Sequence, residues 1–132
     1  MSSQFSVRTR QRTEMVDITG DVQGIVRSSG VRDGICVVCC PHTTAGITVN
    51  ENADPSVVRD MLKETNKIVP FEDGYEHSEG NSAAHIKSSL FGASETFIVE
   101  NGDLMLGTWQ GIYFAEFDGP RTRNVRVQVI GS

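Results

Sequence analysis

The sequence predicts an α+β fold with a mainly antiparallel, β-sandwich-like sheet core and about three helices. Short stretches in which polar and apolar residues alternate, as in half-buried strands, outnumber the helical patterns. The helical patterns are grouped in the middle of the chain, and Asn101-Gly102 is a strong signal for a tight hairpin. The 132 residues suit a single domain spanning residues 1–132.

The amino-terminal elements are two strands and a helix. Residues 5–11 alternate strictly, and residues 15–19 form a second short apolar stretch, so both are predicted strands. Residues 21–29 carry apolar side chains at helical spacing. Asp21 is the expected N-cap of this helix, and Gly30 is expected to end it.

Residues 35–40 are a continuous apolar run, which predicts a strand buried on both faces. The run contains all three cysteines of the chain. Three thiols cannot all pair within one chain, so we expect reduced, inert cysteines in a cytoplasmic protein. A redox-active Cys-x-x-Cys pair would need a helix start beside it, and none is predicted here.

A strand over residues 47–50 precedes two predicted helices. Asp54-Pro55 is a typical helix start, and the apolar stripe that follows predicts a helix over residues 55–66. The second helix spans about residues 81–90. Its expected buried face consists of Ala83, Ile86 and Leu90, which would leave His85 on the opposite side.

Four strands complete the predicted sheet core. Residues 96–100 and 103–105 flank the Asn-Gly turn and form its hairpin. Residues 111–117 and 124–130 are the two remaining strands, and the last one alternates valine with polar residues.

Composition excludes several classes of function. A net charge of −5 makes nucleic-acid binding through a basic surface unfavourable. No apolar run approaches the roughly 18 residues of a membrane span, and the first residues do not resemble a secretory signal. The acidic side chains between residues 72 and 79 suit either a solvated loop or a rim around a cationic ligand.

The chain has only three histidines, His42, His77 and His85. Three imidazoles and one open position are the usual coordination of a catalytic zinc ion. Each histidine alone would more often be a hydrogen-bonded structural residue. Glu51 and Asp54 could orient the imidazoles or act as a general base, although Asp54 also suits a helix cap.

Other polar residues suggest contacts to a substrate. Trp109 is either core filler or a flat wall for a ring-shaped ligand. Arg121 follows a turn and Lys87 lies near the acidic loop, so both are candidates to meet a phosphate or carboxylate. The chain has no Walker motif, no dinucleotide-binding glycine fingerprint and no Gly-x-Ser-x-Gly motif.

Three segments resemble the signatures of the YjbQ-like family, whose members are often labelled secondary thiamine-phosphate synthases. The first is HTTAGITVNENADP at residues 42–55. The second combines YEH at 75–77 with AHIKSSL at 84–90. The third runs from residue 94 to the GTWQGI segment at 107–112. The resemblance covers about residues 5–130.

The resemblance implies a homotrimer with a polar pocket near the subunit interface. It implies that the three histidines bind a divalent metal, with Zn²⁺ suggested by the pattern. Further positions match the family's motifs or lie close to them, with roles expected in catalysis for the two carboxylates and in substrate binding for the others. These positions are Glu51, Asp54, Thr44, Asn52, Lys87, Trp109, Gln110 and Arg121.

These features lead to three expectations for function. The first is a metal-dependent enzyme acting on a small phosphorylated or heterocyclic substrate, either a weak thiamine-phosphate synthase or a zinc-dependent hydrolase. Three histidines suit zinc-bound water better than a magnesium–pyrophosphate complex. The second is a non-catalytic trimer that binds a metal or metabolite. A third arrangement, a purely structural site, would leave no open coordination position.

Overall fold

The computed structural model describes residues 2–132 and confirms an α+β architecture of two antiparallel sheets and three helices. The helices are α1 (Thr19–Ser29), α2 (Pro55–Ile68) and α3 (Ser82–Phe91). The strands are β1 (Ser3–Arg8), β2 (Glu14–Asp17), β3 (Gly34–Cys39), β4 (Ala45–Glu51), β5 (Ser94–Glu100), β6 (Asp103–Leu104), β7 (Gln110–Glu116) and β8 (Thr122–Gly131). In the described chain no helix is long and apolar enough to cross a membrane.

The two sheets form two layers of the fold. The larger sheet has the strand order β1-β8-β3-β5-β6, and the smaller has the order β2-β7-β4. The main core lies between them, and a second apolar cluster lies between the smaller sheet and helices α2 and α3. Strand β7 serves both, because Ile112 and Phe114 join the main core while Tyr113 and Ala115 join the second cluster.

The ends of the helices show where local chemistry determined structure. Asp54 caps α2 by accepting the Ser56 N–H at 2.9 Å, as predicted. Gly30 ends α1 in the left-handed region, also as predicted. The predicted cap Asp21 is wrong, since it lies within the first turn of α1. Asp17, just before the helix, accepts the Thr19 N–H instead.

Two burial predictions are wrong for one reason: the chain leaves surfaces of its own uncovered. Strand β3 buries only Cys36 and Val38, while Ile35 on the outer face is 40% exposed. Helix α3 buries Ala83, as predicted, but its other buried residues are Ala84 and Lys87. Two members of the predicted apolar stripe point outward, Ile86 and Leu90, and Leu90 is 65% exposed.

The cysteines and the hairpin match the sequence. All three cysteines are free, and burial raises the pKa of Cys36 to about 11. The Asn101-Gly102 turn joins β5 to β6 with both residues at positive φ. This is the backbone geometry for which Asn-Gly is preferred.

Candidate functional site

A polar cavity of about 670 Å³ lies where the β3–β4 and β7–β8 connections meet the amino-terminal end of α3. All three histidines of the chain line it, and we call it the histidine pocket. Its lining residues are Pro41, His42, Thr43, Thr44, His77, Glu79, Asn81, His85, Asp118, Arg121 and Arg123.

His42 is fixed in the wall as a neutral imidazole. Its Nε2 accepts the backbone N–H of Asn124 at 2.9 Å, and its ring meets Phe114 edge-on at 6.4 Å. Burial lowers the pKa of His42, and the nearby positive charge of Arg123 lowers it further. The lone pair on Nε2 is therefore already used within the chain.

His77 and His85 form an adjacent pair on the other side of the pocket. Their ring centroids are 5.5 Å apart and the rings are nearly perpendicular. Glu79 lies 3.9 Å from Nε2 of His77, which carries a half-exposed side chain. His85 comes from α3 and His77 from the loop before it, so two neighbouring segments build this pair.

A buried ion pair forms the floor of the pocket. Arg123 donates from Nε to Glu116 at 2.7 Å and from Nη2 to the Thr44 hydroxyl at 2.8 Å. Thr9 and the Asp118 N–H also donate to Glu116. Burial alone would raise the pKa of Glu116, but these hydrogen bonds and the arginine charge lower it overall. The charge of Arg123 is thus balanced inside the protein.

Arg121 and Asn81 share one carboxylate at the rim. Both donate to Oδ2 of Asp118, at 3.2 Å and 2.9 Å respectively. Within residues 2–132 no donor reaches the buried Oδ1 of Asn81. A buried acceptor without a partner usually marks a place for a bound water or ligand. Sequence reasoning missed Asn81, although a polar residue at the start of a predicted helix was its signal.

The predicted carboxylate base lies elsewhere. Glu51 pairs with Gln110 at the far end of β4, six residues from Ala45, which corresponds to about 20 Å of strand. Asn52 bonds there to the Trp109 carbonyl at 3.0 Å and to Asp17 at 3.3 Å. We call this group the tryptophan edge; its members are Asp17, Glu51, Asn52, Trp109 and Gln110.

Trp109 is 64% exposed, so the core-filler interpretation is wrong. None of the residues of the tryptophan edge lines the histidine pocket. Within one chain, the tryptophan edge is therefore a surface separate from the histidine pocket. The residues predicted for catalysis and substrate binding are divided between these two surfaces.

Asp54 and Lys87 also lie outside the pocket. The Asp54 carboxylate accepts both the hydroxyl and the N–H of Ser56, and these bonds lower its pKa. Lys87 is fully buried, with Nζ 2.6 Å from Asn66 Oδ1 and 4.2 Å from the centroid of the Phe71 ring. Burial lowers the pKa of Lys87 to about 8. The ammonium group therefore links α3, which carries Lys87, to Asn66 on α2 and to Phe71 in the loop after α2.

The side chains lining the pocket are of the type that binds zinc, but their positions in this structure do not allow three of them to share one ion. Imidazoles are preferred zinc ligands, and three of them face one cavity. In the described chain, however, no three His, Cys, Asp or Glu side chains are placed to share an ion. An ion held by all three histidines would require His42 to release the N–H of Asn124.

Comparison with known proteins gives a consistent result. The model of the family described as UPF0047 protein YjbQ-like matches residues 3–132. The UPF0047 protein YugU of Bacillus subtilis is 52% identical over 132 residues, covering 99% of this chain and all of that protein. A UPF0047 protein of Methanocaldococcus jannaschii is 52% identical over 131 residues, covering 99% of this chain and 95% of that protein.

Solved structures agree with this match. A crystal structure of an uncharacterised YjbQ/UPF0047 protein from Clostridium acetobutylicum superposes with a TM-score of 0.96 at 57% identity, covering 97% of this chain and 99% of that one. A protein of unknown function from Sulfolobus solfataricus gives a TM-score of 0.96 at 34% identity, covering 100% and 97%. Neither description states an activity.

Proposed function

Because the chain belongs to the YjbQ-like UPF0047 family, we propose that its histidine pocket is the active site of a metal-dependent enzyme acting on a small phosphorylated or heterocyclic substrate. The supporting observation is that all three histidines line one cavity, although His42 is 35 residues away from His77 in the sequence. We also propose that the enzyme is a homotrimer and works in the cytoplasm, where its three thiols would stay reduced.

The pocket offers two features that favour an anionic group. Arg121 reaches the rim with a half-exposed side chain. Helix α3 begins at Ser82 beside the cavity, and the side chain of Asn81 makes no capping bond within the described residues. The first N–H groups of a helix and its dipole attract phosphate and carboxylate groups. A phosphate between Arg121 and this helix end would have complementary charge.

The small number of positive charges at the pocket favours hydrolysis of a phosphate ester over expulsion of pyrophosphate. A thiamine-phosphate synthase reaction must offset the charge of a departing pyrophosphate with several cations. Of Lys87, Arg121 and Arg123, the first is sealed in the interior and the last is neutralised by Glu116. Only Arg121 reaches the rim with a half-exposed side chain, and its charge is shared with Asp118, which suits a substrate with a single phosphate better.

Without a metal, His77 and His85 are the groups placed to hold or move protons at the substrate. They face the cavity as a pair, whereas the acceptor nitrogen of His42 is bonded to Asn124. The same pair would hold a zinc ion, with His42 joining if its bond from Asn124 opens. A zinc ion there would supply a Lewis acid that polarises a phosphoryl oxygen.

A second candidate is a protein that binds a phosphorylated metabolite without turning it over. Two carboxylates line the pocket, and Asp118 is bonded to Arg121 and Asn81, which leaves Glu79 as the only one free of such bonds among the lining residues. The predicted base Glu51 lies outside. A pocket poor in free general bases suits binding as well as catalysis.

Turnover assays separate the two candidates. Zinc-loaded wild-type protein and His85→Ala are incubated with phosphorylated pyrimidines and thiazoles, and released phosphate and pyrophosphate are measured separately. We expect phosphate release that falls at least about tenfold in His85→Ala, because losing even an outer partner of a metal ligand usually costs about 10–100-fold in activity. Ile98→Ser, on the outer face of the larger sheet, is the matched control and should keep full activity.

Unchanged phosphate release in His85→Ala would place the reaction outside the histidine pocket. Saturable binding of one of these compounds in a titration calorimeter, with neither product released, would support the second candidate instead.

A further inference from the structure

Arg123 has two N–H groups that no acceptor within residues 2–132 uses. A guanidinium carries five N–H donors, one on Nε and two on each terminal nitrogen. In the described chain, every hydrogen bond of Arg123 starts from Nε or Nη2. The acceptors are both carboxylate oxygens of Glu116 and the hydroxyl and carbonyl oxygens of Thr44. Both donors of Nη1 therefore remain free.

The free nitrogen opens into the histidine pocket. Arg123 lines this pocket, although only 3% of its side chain is exposed. Across the part of the chain that the structure describes, Oδ1 of Asn81 is the single fully enclosed side-chain nitrogen or oxygen without a partner. Nη1 also lacks a partner, so it is not enclosed, and the cavity that Arg123 lines is where it is exposed.

The guanidinium of Arg123 is held in one orientation before any ligand arrives. Glu116 accepts from Nε at 2.7 Å and also from Nη2, and the Thr44 hydroxyl accepts from Nη2 at 2.8 Å. Glu116 is itself fixed by the hydroxyl of Thr9 and the N–H of Asp118, which both donate to it. A pair of donors fixed in this way loses little conformational entropy when a ligand binds.

The two free donors suit a neutral acceptor better than an anion. The carboxylate of Glu116 bonds to the same guanidinium, so the buried pair has no net charge. A phosphate at Nη1 would place a second negative charge beside this carboxylate and out of water, which is unfavourable. A carbonyl oxygen or an uncharged ring nitrogen accepts the same hydrogen bonds without bringing that charge. The half-exposed Arg121 at the rim remains the position for the phosphate.

We propose that Arg123 selects the ligand of the histidine pocket by donating from Nη1 to a neutral acceptor, a carbonyl oxygen or ring nitrogen of a heterocycle that also carries the phosphate. This role rests on the proposed function, because it takes the histidine pocket as the place where the substrate binds. The substrate class then narrows from phosphorylated or heterocyclic compounds to compounds that are both. A phosphate ester with a hydrocarbon ring would leave the Nη1 donors without a partner and bind less tightly.

Matched phosphonates measure this selection without turnover, because their carbon–phosphorus bond is not hydrolysed. The probes are benzylphosphonate and its three pyridyl isomers, in which one ring C–H is replaced by nitrogen. Each probe is titrated calorimetrically into wild-type protein, Arg123→Lys and Arg121→Ala, at a slightly alkaline pH where the ring nitrogen is uncharged. The titrations are repeated after dialysis against a chelator, so that a ring nitrogen bound to a metal ion is not mistaken for one bound to Arg123.

We expect one pyridyl isomer to bind the wild type about 10–100-fold more tightly than benzylphosphonate, the scale of one hydrogen bond to a charged group. Arg123→Lys keeps a cation beside Glu116 but lacks the fork of the guanidinium, so its preference should fall below about threefold. Arg121→Ala should weaken all four probes by a similar factor and keep the preference.

A crystal structure with the preferred isomer tests the contact even where Arg123→Lys does not fold. It should place the ring nitrogen within about 3.2 Å of Nη1 of Arg123.

Absence of binding, equal affinity of the wild type for all four probes, or a preference that Arg123→Lys retains or chelation removes would overturn the inference. A ring nitrogen bonded elsewhere, or an Nη1 already bonded to an acceptor of another chain, would overturn it too. Phosphate release from esters without this selectivity would count against Arg123 alone and leave the proposed function standing. A selective pocket in a protein without phosphatase activity would support the role of Arg123 and count only against the proposed enzyme.

Discussion

Replacing Glu116 by glutamine tests whether the buried ion pair supports the floor of the histidine pocket. The Glu116 side chain is fully buried and that of Arg123 is 3% exposed. Glutamine keeps the shape but leaves the guanidinium charge without a carboxylate. Removing one partner of a buried pair costs about 3–5 kcal/mol, because the remaining charge stays desolvated. For a domain of this size each kcal/mol lowers Tm by about 3–5 °C, so we expect a decrease of about 10–20 °C.

The pH dependence of this loss follows from the direction of the shift. The pKa of Glu116 is below its ordinary value in the folded chain. Its stabilisation is therefore complete above about pH 4.5, the ordinary value, and disappears as the pH falls through the lower folded-state pKa. The Tm difference between wild type and Glu116→Gln should stay constant near neutrality and shrink below about pH 4.5.

The assay is differential scanning calorimetry across this pH range. Glu100→Gln, an exposed carboxylate at the end of β5, is the control and should change stability by less than about 0.5 kcal/mol. The double variant Glu116→Leu/Arg123→Met should recover most of the lost stability, since it removes both buried charges. A Tm decrease below about 3 °C for Glu116→Gln at pH 7 would refute the reasoning.

Two further predictions concern the surroundings of the site. Lys87→Ala should lower the free energy of unfolding by about 2–4 kcal/mol in urea titrations. Lys87→Met should lower it by less than half as much, because the methionine side chain fills the space of the lysine stem. Equal losses in the two variants would mean that the charge of Lys87, and not its packing, stabilises the fold. Gly111→Ala should lose about 1–3 kcal/mol through overlap with Asn52, whereas Gly24→Ala, in open space on α1, should gain about 0.5–1 kcal/mol. A gain at Gly111 would show that the tryptophan edge is mobile.

The sequence contained enough local information for most of the fold. The helix start at Asp54-Pro55, the Asn-Gly hairpin and the alternating strands each depend on a few neighbouring residues, and the structure has all of them. Burial was less predictable. The apolar residues Ile35, Ile86 and Leu90 read as core, yet each is exposed because no element of the same chain covers it.

The site was predicted only in part for a similar reason. Sequence order places Glu51 and His42 near one another, and both lie in one family signature, but the strand between them carries their side chains to opposite ends of the smaller sheet. The convergence of His77 with His42 depends on tertiary packing that no spacing rule describes. The buried pair of Glu116 and Arg123 was likewise not assigned, since a carboxylate and an arginine seven residues apart have many possible partners.

The metal content of the protein tests the central proposal most directly. Untagged protein is purified without chelator, loaded with zinc, freed of excess metal and measured by inductively coupled plasma mass spectrometry beside His85→Ala and Ile98→Ser. We predict about one zinc ion per chain in the wild type and the Ile98→Ser control, and almost none in His85→Ala, as for an ion held by imidazole ligands. A wild type that retains no metal, or a His85→Ala variant that retains it fully, would contradict the metal-dependent active site in the histidine pocket.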